Sequence, residues 1–543
     1  MKYTGAKIIL ECLNKMGVDC IFGYPGGSIL DIYEEIYKSK GKIKHYLMSS
    51  EQGATFAADG YSRASGKVGV VLATSGPGAT NLVTGIANSF LDSTPLVVIT
   101  GNVPTSKLGQ DSFQEVDIYG ITMPVVKYSY LCKNVQDLEQ ILIDSFEIAK
   151  SGRPGPVLID IPKDVLSKKC EYNGNFTPQI HKKVLNYSPD YQKAIELINQ
   201  STKPFIYCGG GVVGGNASDK VIELANKMNA PIACTMMGKT AIPNDSKFNI
   251  GMTGMHGNVS ANNLKNQADL IIALGVRFND RATADNKDFC TQKIIHVDID
   301  LVELNKNVEC DLLIKSEVGE FLDNILPYVN KFDNQEWWKI IESERQKDFV
   351  YKTDGFNPCN IIKTISEYLN DDDIVATDVG QHQLWTAQCY PFKKPRTFLT
   401  SCGLGAMGYG LGGVIGGVIA TKKRGLLITG DGSFLMNSNE LAVAVENKLP
   451  IMIVIMNNGT LGMVKQWQQE FYKKHYCGVN IKSRADFEML AKAYGVNNSY
   501  TICNIDELKN ILSKNHNFKE PVLLNCIIDD NEQVLPFVHP DKM

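Results

Sequence analysis

Two short polar motifs follow strand-like segments and offer oxygen ligands for a divalent metal ion. Gly430-Asp431-Gly432-Ser433 comes directly after the apolar residues 425–429. Asn458 comes later, after the apolar residues 451–456, and Thr460 follows it. Consecutive parallel strands end at one edge of a sheet, where α/β proteins bind ligands, so the two motifs are expected to meet there. Carboxylate, amide and carbonyl oxygens suit Mg²⁺, whose other ligands would be phosphate oxygens and water.

The spacing between Asp431 and Asn458 is typical of proteins that bind thiamine diphosphate through a metal ion. The glycines that flank Asp431 allow backbone amides to approach phosphate groups closely. A further phosphate contact is expected at Gly380-Gln381-His382, which follows the strand-like residues 374–377. We therefore predict a site for thiamine diphosphate and Mg²⁺, with Ser433 among the phosphate contacts.

Glu51 is an acidic residue at the head of the Gly- and Ala-rich stretch 52–65. Thiamine chemistry requires loss of a proton from the thiazolium ring. In thiamine enzymes a glutamate hydrogen-bonds the aminopyrimidine ring, whose own nitrogen then removes that proton. We predict this activating role for Glu51.

The chain contains an internal similarity that relates its two ends. Residues 66–78 resemble residues 423–432, and the apolar strands that begin at Pro95 and Pro450 match each other at a constant offset of 355 residues. The first and third domains are therefore predicted to be diverged copies of one doubly wound unit. Pro77 occupies the counterpart of Asp431, so only the third copy can place a carboxylate in that turn. A cofactor bound between the two copies is the expected arrangement.

Short β-rich runs alternate with helical patterns along all 543 residues, which predicts an α/β protein with parallel sheets. We expect three doubly wound domains: a pyrimidine-binding domain at 1–166, a Rossmann-like central domain at 190–330 and a diphosphate- and metal-binding domain at 356–543. Residues 167–190 are polar and are predicted to be a linker, and residues 330–355 are charged and helix-like.

Composition argues for small-molecule chemistry. The net charge is −4, with no long run of either sign, which disfavours a nucleic-acid or membrane partner. No signal or transit pattern precedes the first amphipathic segment, so a cytoplasmic protein is expected. The fourteen cysteines include no C-x-x-C pair. We expect reduced core thiols rather than disulfides or a zinc site.

Over essentially its whole length the chain resembles the large, catalytic subunit of acetohydroxyacid synthase, the biosynthetic acetolactate synthase. Motifs that carry the resemblance are Tyr24-Pro25-Gly26-Gly27, Thr74-Ser75-Gly76-Pro77-Gly78, Gly254-Met255-His256-Gly257 and Gly462-Met463-Val464-Lys465-Gln466-Trp467. The resemblance implies decarboxylation of pyruvate and transfer of the hydroxyethyl unit to a second 2-ketoacid, pyruvate or 2-ketobutyrate. Such a transferase serves branched-chain amino acid (isoleucine and valine) biosynthesis.

The same resemblance implies roles for further residues. Gln114 and Gly27 would lie near the reacting centre with Glu51, and Met407, in the Gly/Ala-rich stretch 404–420, would support the bent cofactor between its rings. Arg281 would bind the acceptor's carboxylate, and Trp467 would form the wall beside its alkyl group. The rest of the substrate pocket would be formed by Phe113, Val103, Met255 and Lys163.

The central domain is expected to bind FAD. The segment Gly209-Gly210-Gly211 follows an apolar strand in a dinucleotide-type pattern, although no acidic residue follows at the interval that NAD binding requires. The resemblance assigns the flavin contacts to these glycines together with Arg153, His256, Gly275, Arg277, Asp298 and Asp300. Gly412-Gly413-Val414 departs from the family's usual Pro-Ala-Ala and suggests a less rigid helix.

Two alternatives remain open at this point. One is another thiamine enzyme, such as a flavin-dependent pyruvate oxidase or a catabolic acetolactate synthase without flavin. The other is a non-catalytic nucleotide-binding or regulatory protein that keeps the fold, against which the intact Glu51, Asp431 and Asn458 argue. The family pairs its half-sites between subunits, so we expect a homodimer or homotetramer, with a regulatory small subunit as a further partner.

Overall fold

The computed structural model describes residues 1–174, 189–283, 289, 292–352, 354–482 and 485–538. Within these residues lie three six-stranded parallel sheets and a two-stranded antiparallel pair. This confirms the predicted α/β class with three sheets. No helix of the described residues is long and apolar enough to cross a lipid bilayer.

The first sheet and its helices occupy the N-terminal third of the chain. In chain order the elements are β1 (Lys2–Thr4), α1 (Gly5–Lys15), β2 (Cys20–Tyr24), α2 (Leu30–Lys38), β3 (Lys44–Leu47), α3 (Glu51–Ser65), β4 (Gly69–Ala73), α4 (Pro77–Asn81), α5 (Val83–Leu91), β5 (Leu96–Asn102), α6 (Ile118–Thr122), β6 (Tyr128–Leu131), α7 (Leu138–Lys150), β7 (Val157–Pro162), α8 (Lys163–Ser167) and β8 (Lys169–Glu171).

The central sheet follows. Its elements are α9 (Tyr191–Gln200), β9 (Pro204–Cys208), α10 (Gly210–Gly214), α11 (Ser218–Met228), β10 (Ile232–Cys234), β11 (Asn249–Met252), α12 (Val259–Gln267), β12 (Leu270–Leu274), α13 (Asp280–Thr283), β13 (Lys293–Asp298), β14 (Leu312–Lys315), α14 (Val318–Ile325) and α15 (Gln335–Arg345).

The third sheet completes the chain. Its elements are α16 (Pro358–Ser366), β15 (Ile374–Thr377), α17 (Gln381–Cys389), β16 (Phe398–Thr400), α18 (Tyr409–Thr421), β17 (Gly425–Gly430), α19 (Asp431–Asn437), α20 (Leu441–Glu446), β18 (Ile451–Asn457), α21 (Gly462–Phe471), α22 (Phe487–Ala493), β19 (Asn498–Ile502), α23 (Ile505–Asn515) and β20 (Val522–Ile527).

The central strands of each sheet are buried along their whole length. Every residue of β4, β5, β12 and β17 is buried. Continuous apolar runs of this kind form where helices cover a parallel sheet. Such runs are readable in the sequence, and the apolar runs at 270–274 and 374–377 match β12 and β15 at both ends.

The first and third sheets share one topology. The strand order is β3-β2-β4-β5-β7-β6 in the first sheet and β16-β15-β17-β18-β20-β19 in the third. Each strand of the first sheet therefore occupies the position of its sequential counterpart in the third. This confirms that the two domains are related.

The two related domains pack through helices α3 and α18, which are counterparts in the duplication. A side chain at Gly412 would lie 3.4 Å from the backbone nitrogen of Ala57, and one at Gly416 would lie 2.7 Å from that of Tyr61. Both pairs are 355 residues apart, so equivalent positions of the two copies face each other here. Because these glycines have no side chains, the two helices can pack closely, which explains why a glycine stands at position 412.

The central sheet has the order β11-β10-β9-β12-β13-β14. In such sheets ligands bind beyond the carboxyl ends of the strands, where the strand order reverses, which here is between β9 and β12. Helix α15, from the predicted helix-like segment, packs on this domain. Its buried Trp337 donates a hydrogen bond from Nε1 to the carbonyl of Pro204 at 3.0 Å.

Three sequence-based expectations need correction. Part of the predicted linker is strand β8, which pairs with β1, while residues 175–188 lie outside the described part. Helix α18 begins at Tyr409, so Met407 lies in the preceding turn, because the backbone at Gly408 has a left-handed φ of 88°.

The third correction concerns the cysteines. Cys359 and Cys389 form a disulfide, with their Cα atoms 5.5 Å apart. The two residues lie on α16 and α17, which pack against each other, so the helix packing brings together positions that carry no pairing signal in the sequence. The other described cysteines are free, among them the buried Cys208, Cys234 and Cys526.

Candidate active site

Asp431 and Asn458 lie side by side at the carboxyl edge of the third sheet. Asp431 follows β17 and Asn458 follows β18, and these two strands are paired. One carboxylate oxygen of Asp431 accepts the backbone N–H of Gly459 at 2.7 Å, and the other accepts that of Gly432 at 2.9 Å. Burial raises the pKa of Asp431 to about 6. A cation at this position would offset the cost of the buried charge.

The side chain of Asn458 is oriented from both ends. Its Oδ1 accepts the backbone N–H of Thr460 at 3.0 Å, and its Nδ2 donates to Oε1 of Gln381 at 3.4 Å. Gln381 is itself held, because its Nε2 donates to Oε1 of Gln466 at 3.0 Å. The side chain of Gln381 therefore orients Asn458. The amide oxygen of Asn458 keeps a second lone pair for a metal ion.

Two buried polar atoms near this pair have no hydrogen-bond partner among the described residues: Nε2 of His382 and Oγ1 of Thr460. Burial lowers the pKa of His382 to about 3, so its ring is neutral. A side chain at Gly430 would come within 2.9 Å of Nδ1 of His382. Native structures rarely leave buried polar atoms unpaired, so these two fit a site that a polar ligand completes.

The remaining predicted phosphate contacts surround the same turn. The hydroxyl of Ser433 donates to the carbonyl of Val379 at 3.1 Å, which joins the start of α19 to the residue before Gly380. A side chain at Gly432 would lie 2.7 Å from Leu461. Mg²⁺ with a diphosphate fits the oxygen ligands available beside these glycines, which belong to Asp431, Asn458 and the carbonyl of Thr460.

Glu51 lies at the carboxyl edge of the first sheet, as the first residue of α3 after β3. Ser50 caps the helix through its hydroxyl, which accepts the N–H of Gly53 at 3.0 Å. The buried carboxylate of Glu51 accepts a hydrogen bond from Nδ2 of Asn81 at 3.0 Å. A side chain at Gly78 would lie 2.7 Å from Thr74 and 3.1 Å from Glu51, so glycine keeps this turn open beside the carboxylate.

Gln114 and Gly27 lie at the same edge of the first sheet. Gln114 packs against Gly76, where an added Cβ would lie 2.9 Å from it, and its own φ of 59° is left-handed. Gly27 is exposed and follows β2. The preceding residue, Gly26, packs against Thr74, which follows β4, the strand that pairs with β2. Glu51, Gln114 and Gly27 therefore share one edge of the first sheet, and we call these three residues the first half-site.

A cavity of about 1110 Å³ lies between the three sheets. Gly380, Met407 and Trp467 line it from the third domain. Glu51, Gln114 and Gly27 are not among the described residues that line this cavity. Asp431 and Asn458 do not line the cavity either, so Gly380 is the predicted phosphate contact that connects it with the proposed metal site.

Glycines of the central domain form one wall of this cavity. A side chain at Gly209 would lie 2.0 Å from the carbonyl oxygen of Gly275, and one at Gly211 would lie 2.7 Å from the Cα of Gly275. Gly210 and His256 line the cavity beside them. The backbone N–H groups of Gly209, Gly211 and Gly275 already donate to backbone carbonyls, so what these glycines provide is the close approach of two backbone segments, as in dinucleotide-binding folds.

Several charged residues lie near these glycines, and some of them form ion pairs. Nη1 of Arg153 forms an ion pair with Glu303 at 2.9 Å and lies 4.0 Å from Asp300. Burial and the neighbouring charge of Arg277 lower the pKa of Arg153. Both arginines line the cavity, where an anionic ligand could pair with them. Asp298 lines the cavity, and burial raises its pKa to about 6.

The structure divides the predicted substrate residues into two groups. The guanidinium carbon of Arg281 lies 5.0 Å from the ring centroid of Trp467, and the backbone N–H of Met255 donates to the carbonyl of Arg281 at 3.3 Å. All three residues line the cavity. Phe113, Val103 and Lys163 lie on the first domain, where Val103 and Lys163 follow β5 and β7 and Phe113 is 87% exposed.

Sequence reasoning missed residues that join the domains. The guanidinium of Arg396 donates to the carbonyls of Arg63 and Gly214, at 3.0 and 2.9 Å, and so links all three domains. The buried carboxylate of Glu440 accepts the hydroxyl of Ser50 at 2.9 Å, which fastens the start of α3. No local pattern marks these residues, because their partners are distant in sequence.

Two sheets of one topology, with the buried Asp431 at the edge of one and the buried Glu51 at the edge of the other, form the arrangement expected of thiamine-dependent enzymes. Three family models match in order: the "Thiamine pyrophosphate enzyme, N-terminal TPP binding domain" over residues 3–121, its "central domain" over 191–325 and its "C-terminal TPP binding domain" over 378–526. The chain is a thiamine pyrophosphate (thiamine diphosphate) enzyme.

Comparison with individual proteins narrows this class. The acetolactate synthase large subunit of Buchnera aphidicola is 40% identical over 98% of this chain and 96% of its own length. The isozyme 1 and isozyme 2 large subunits of Escherichia coli are 41% and 38% identical, each over 99% of this chain and over 96% and 98% of their own lengths. The chain belongs to the acetolactate synthase large-subunit family.

Proposed function

We propose that this chain is the catalytic subunit of an acetolactate synthase. It would decarboxylate pyruvate and join the two-carbon unit to a second 2-ketoacid, pyruvate or 2-ketobutyrate, for branched-chain amino acid biosynthesis. The observation that carries the proposal is Arg281 stacked on Trp467 in the cavity that Gly380 and Met407 also line. A cation beside an aromatic wall suits a carboxylate that carries a short alkyl group.

Asp431, Asn458 and the carbonyl of Thr460 would hold Mg²⁺, and the metal would in turn hold the cofactor's diphosphate. Gly380, Gln381, His382, Gly430, Gly432 and Ser433 surround the same place. The unpartnered Nε2 of His382 and Oγ1 of Thr460 support this assignment, because each would gain a partner. When bound, thiamine diphosphate supplies the nucleophilic carbon for decarboxylation and carbon–carbon bond formation.

Glu51 would hydrogen-bond the pyrimidine ring and stabilise the tautomer whose nitrogen takes up a proton. Its carboxylate is buried and held by Asn81, which keeps it in one orientation. Gln114 and Gly27 would border the reacting atoms from the same edge, and Met407 would support the cofactor from the facing domain. Each domain of the pair would thus contribute half of the contacts.

We propose that FAD binds in the cavity against Gly209, Gly210, Gly211 and Gly275. Arg153 and Arg277 would neutralise its diphosphate, and His256, Asp298 and Asp300 would complete the surroundings. The crowded glycine backbone and the two neighbouring arginines support this assignment. Arg281, Trp467 and Met255 would bind the acceptor ketoacid. Phe113, Val103 and Lys163 would be supplied by the first domain of a second chain.

The first half-site does not line the cavity that Met407 lines, which supports a homodimer, or a homotetramer built from dimers, in which each site combines two chains. The relatives are named large subunits, and we extend this to propose a regulatory small subunit as a partner. For the domain limits we propose 1–166, 190–330 and 356–543.

The function is tested by product analysis without oxygen. The purified chain is incubated with pyruvate, Mg²⁺, thiamine diphosphate and FAD, and samples without thiamine diphosphate serve as controls. Acetolactate formed without an electron acceptor is the expected result, together with 2-aceto-2-hydroxybutyrate when 2-ketobutyrate is added. Acetate or acetyl phosphate accompanied by flavin reduction would instead identify a pyruvate oxidase and contradict the proposal.

A further inference from the structure

The turn that carries Met407 is held by the first domain as well as by its own. We call residues 401–408 the support loop. Its residues Cys402, Gly403, Leu404, Gly405 and Met407 all line the cavity. The far end of the loop is fixed within the third domain, where Asn437 donates to the carbonyl of Gly408 at 2.9 Å.

The near end of the support loop is held by Asp92. One carboxylate oxygen of Asp92 accepts the backbone N–H of Cys402 at 3.0 Å, and the other accepts that of Gly403 at 2.7 Å. A side chain at Gly403 would lie 2.8 Å from Leu91. The loop backbone therefore lies directly against the end of α5, at a distance that a larger residue would not permit.

Asn88, four residues earlier on the same helix, makes a second contact. Its Oδ1 accepts the hydroxyl of Ser401 at 2.6 Å, and that hydroxyl accepts the backbone N–H of Ala406 at 2.7 Å. Residues four apart lie on one face of a helix, so α5 presents both side chains to the loop. The hydroxyl of Ser401 also folds the loop back on itself, one residue before Met407.

Asp92 is poorly placed for stabilising its own helix. It follows the last residue of α5, where the helix dipole disfavours a negative charge. It is also buried, with Nη1 of Arg63 at 3.7 Å as its ion-pair partner. A buried carboxylate at a helix C-terminus costs stability unless other contacts offset that cost. Both carboxylate oxygens of Asp92 accept backbone N–H groups of the support loop.

We propose that Asp92 is a positioning residue for the thiamine chemistry, which it serves by fixing the support loop so that Met407 is held under the cofactor. The proposal rests on the proposed function, because Met407 has this role only if thiamine diphosphate binds there. Asp92 comes from the pyrimidine domain and Met407 from the diphosphate domain of the same chain. One half of the duplication would thus set the shape of the cofactor support in the other.

The test is the variant Asp92→Asn, which keeps the size of the side chain but faces one loop N–H with an amide NH₂. The variant apoenzyme is expected to bind thiamine diphosphate about tenfold more weakly, because a buried donor loses its acceptor. Tryptophan fluorescence at a fixed Mg²⁺ concentration measures this affinity. The value of kcat should fall by a similar factor, and the KM for pyruvate should stay within about twofold because Met407 contacts the cofactor rather than pyruvate.

A double-mutant cycle separates positioning from general damage. In a Met407→Ala background, Asp92→Asn should change affinity and kcat by less than about twofold, because the loop then has nothing left to position. Effects that multiply in the double variant would overturn the proposal. Asp19→Asn is the matched control, since Asp19 accepts the hydroxyl of Tyr61 at 2.6 Å in the same domain without touching the loop. It should behave as wild type.

A second variant covers the case in which Asp92→Asn does not fold. Ser401→Ala removes the hydroxyl that joins Asn88 to the loop, and the same loss and the same non-additivity with Met407→Ala are expected. Wild-type protein without any thiamine-dependent activity would contradict the proposed function itself. Active, thiamine-dependent wild type with an unaffected Asp92→Asn variant would overturn only the positioning role.

Discussion

The carboxylate of Asp431 accepts a hydrogen bond from the backbone N–H of Gly459 at 2.7 Å, one residue beyond Asn458. This contact joins the turn after β17 to the turn after β18. It therefore fixes the distance between the two proposed metal ligands before any ion binds. A preformed pair of oxygen ligands loses less conformational entropy on binding than two mobile turns would.

Asp431→Asn is expected to weaken Mg²⁺ binding at least about tenfold, because the amide keeps the shape but removes the charge that a hard cation prefers. The Mg²⁺ concentration for half-maximal activity, at saturating thiamine diphosphate, measures this. Asp371→Asn, an exposed carboxylate of the same domain that pairs with Lys393, is the control. Equal Mg²⁺ dependence in Asp431→Asn and wild type would remove Asp431 from the metal site.

Glu51→Gln is expected to lower kcat by about 10²- to 10³-fold, within the range of lost acid–base assistance. The fold should persist, because a glutamine oxygen can still accept the hydrogen bond from Asn81. Steady-state rates and the melting temperature are the measurements. Glu34→Gln, at an exposed position, should retain full activity, and an active Glu51→Gln enzyme would refute the activating role.

Trp467→Leu is expected to reduce the preference for 2-ketobutyrate over pyruvate about tenfold, because the wall that contacts the extra methylene is lost. The ratio of the two products, formed in competition, measures the preference. Tyr476→Leu removes a half-exposed aromatic ring that does not line the cavity. That variant should keep the wild-type ratio, and an unchanged ratio in Trp467→Leu would place acceptor selection elsewhere.

Met436→Glu is expected to weaken self-association. Met436 is 56% exposed on α19, the helix that begins at Asp431, and we expect a second chain to bring its first half-site to this helix. A charge buried in such an interface without a partner is costly. Light scattering during size-exclusion chromatography should show a shift towards monomer at low concentration, with loss of activity. Met489→Glu, at a 68% exposed methionine on α22, is the control, and a fully active monomer would contradict the intersubunit site.

His45 is expected to make folding stability pH-dependent. Burial lowers the pKa of His45 to about 4, whereas an unfolded histidine titrates near about 6.5. Between these values the unfolded state binds the proton and the folded state does not, so stability falls as the pH falls through this window and the loss is complete below it.

His45→Gln keeps a partner for the hydroxyl of Tyr33, which lies 2.9 Å from Nε2 of His45, but cannot be protonated. Between pH 7.5 and 5.5 the wild type should lose about 1 kcal/mol more stability than the variant in urea unfolding. The exposed His516→Gln serves as the control and should follow the wild type. Identical losses in wild type and His45→Gln would show that His45 titrates normally.

The sequence by itself determined the local chemistry and the repeated architecture. The strands that end at Gly430 and Asn457, and the helix that begins at Glu51, are encoded by apolar runs and turn residues within a few positions of each other. Periodicity of that kind is set by neighbouring residues, so it can be predicted without the rest of the fold. The duplication is visible for the same reason, since each copy repeats its own local pattern.

Only the tertiary structure decided how these pieces meet. It paired Cys359 with Cys389 and placed Met407 in a turn that precedes α18. It also placed Asp92 against Cys402 and Gly403. In addition, it placed Arg281 and Trp467 together in a cavity that the first half-site does not line. Such contacts depend on how α3 and α18 cross and on how helices pack. Packing between distant segments is decided by shape complementarity across the whole molecule, which no local pattern records.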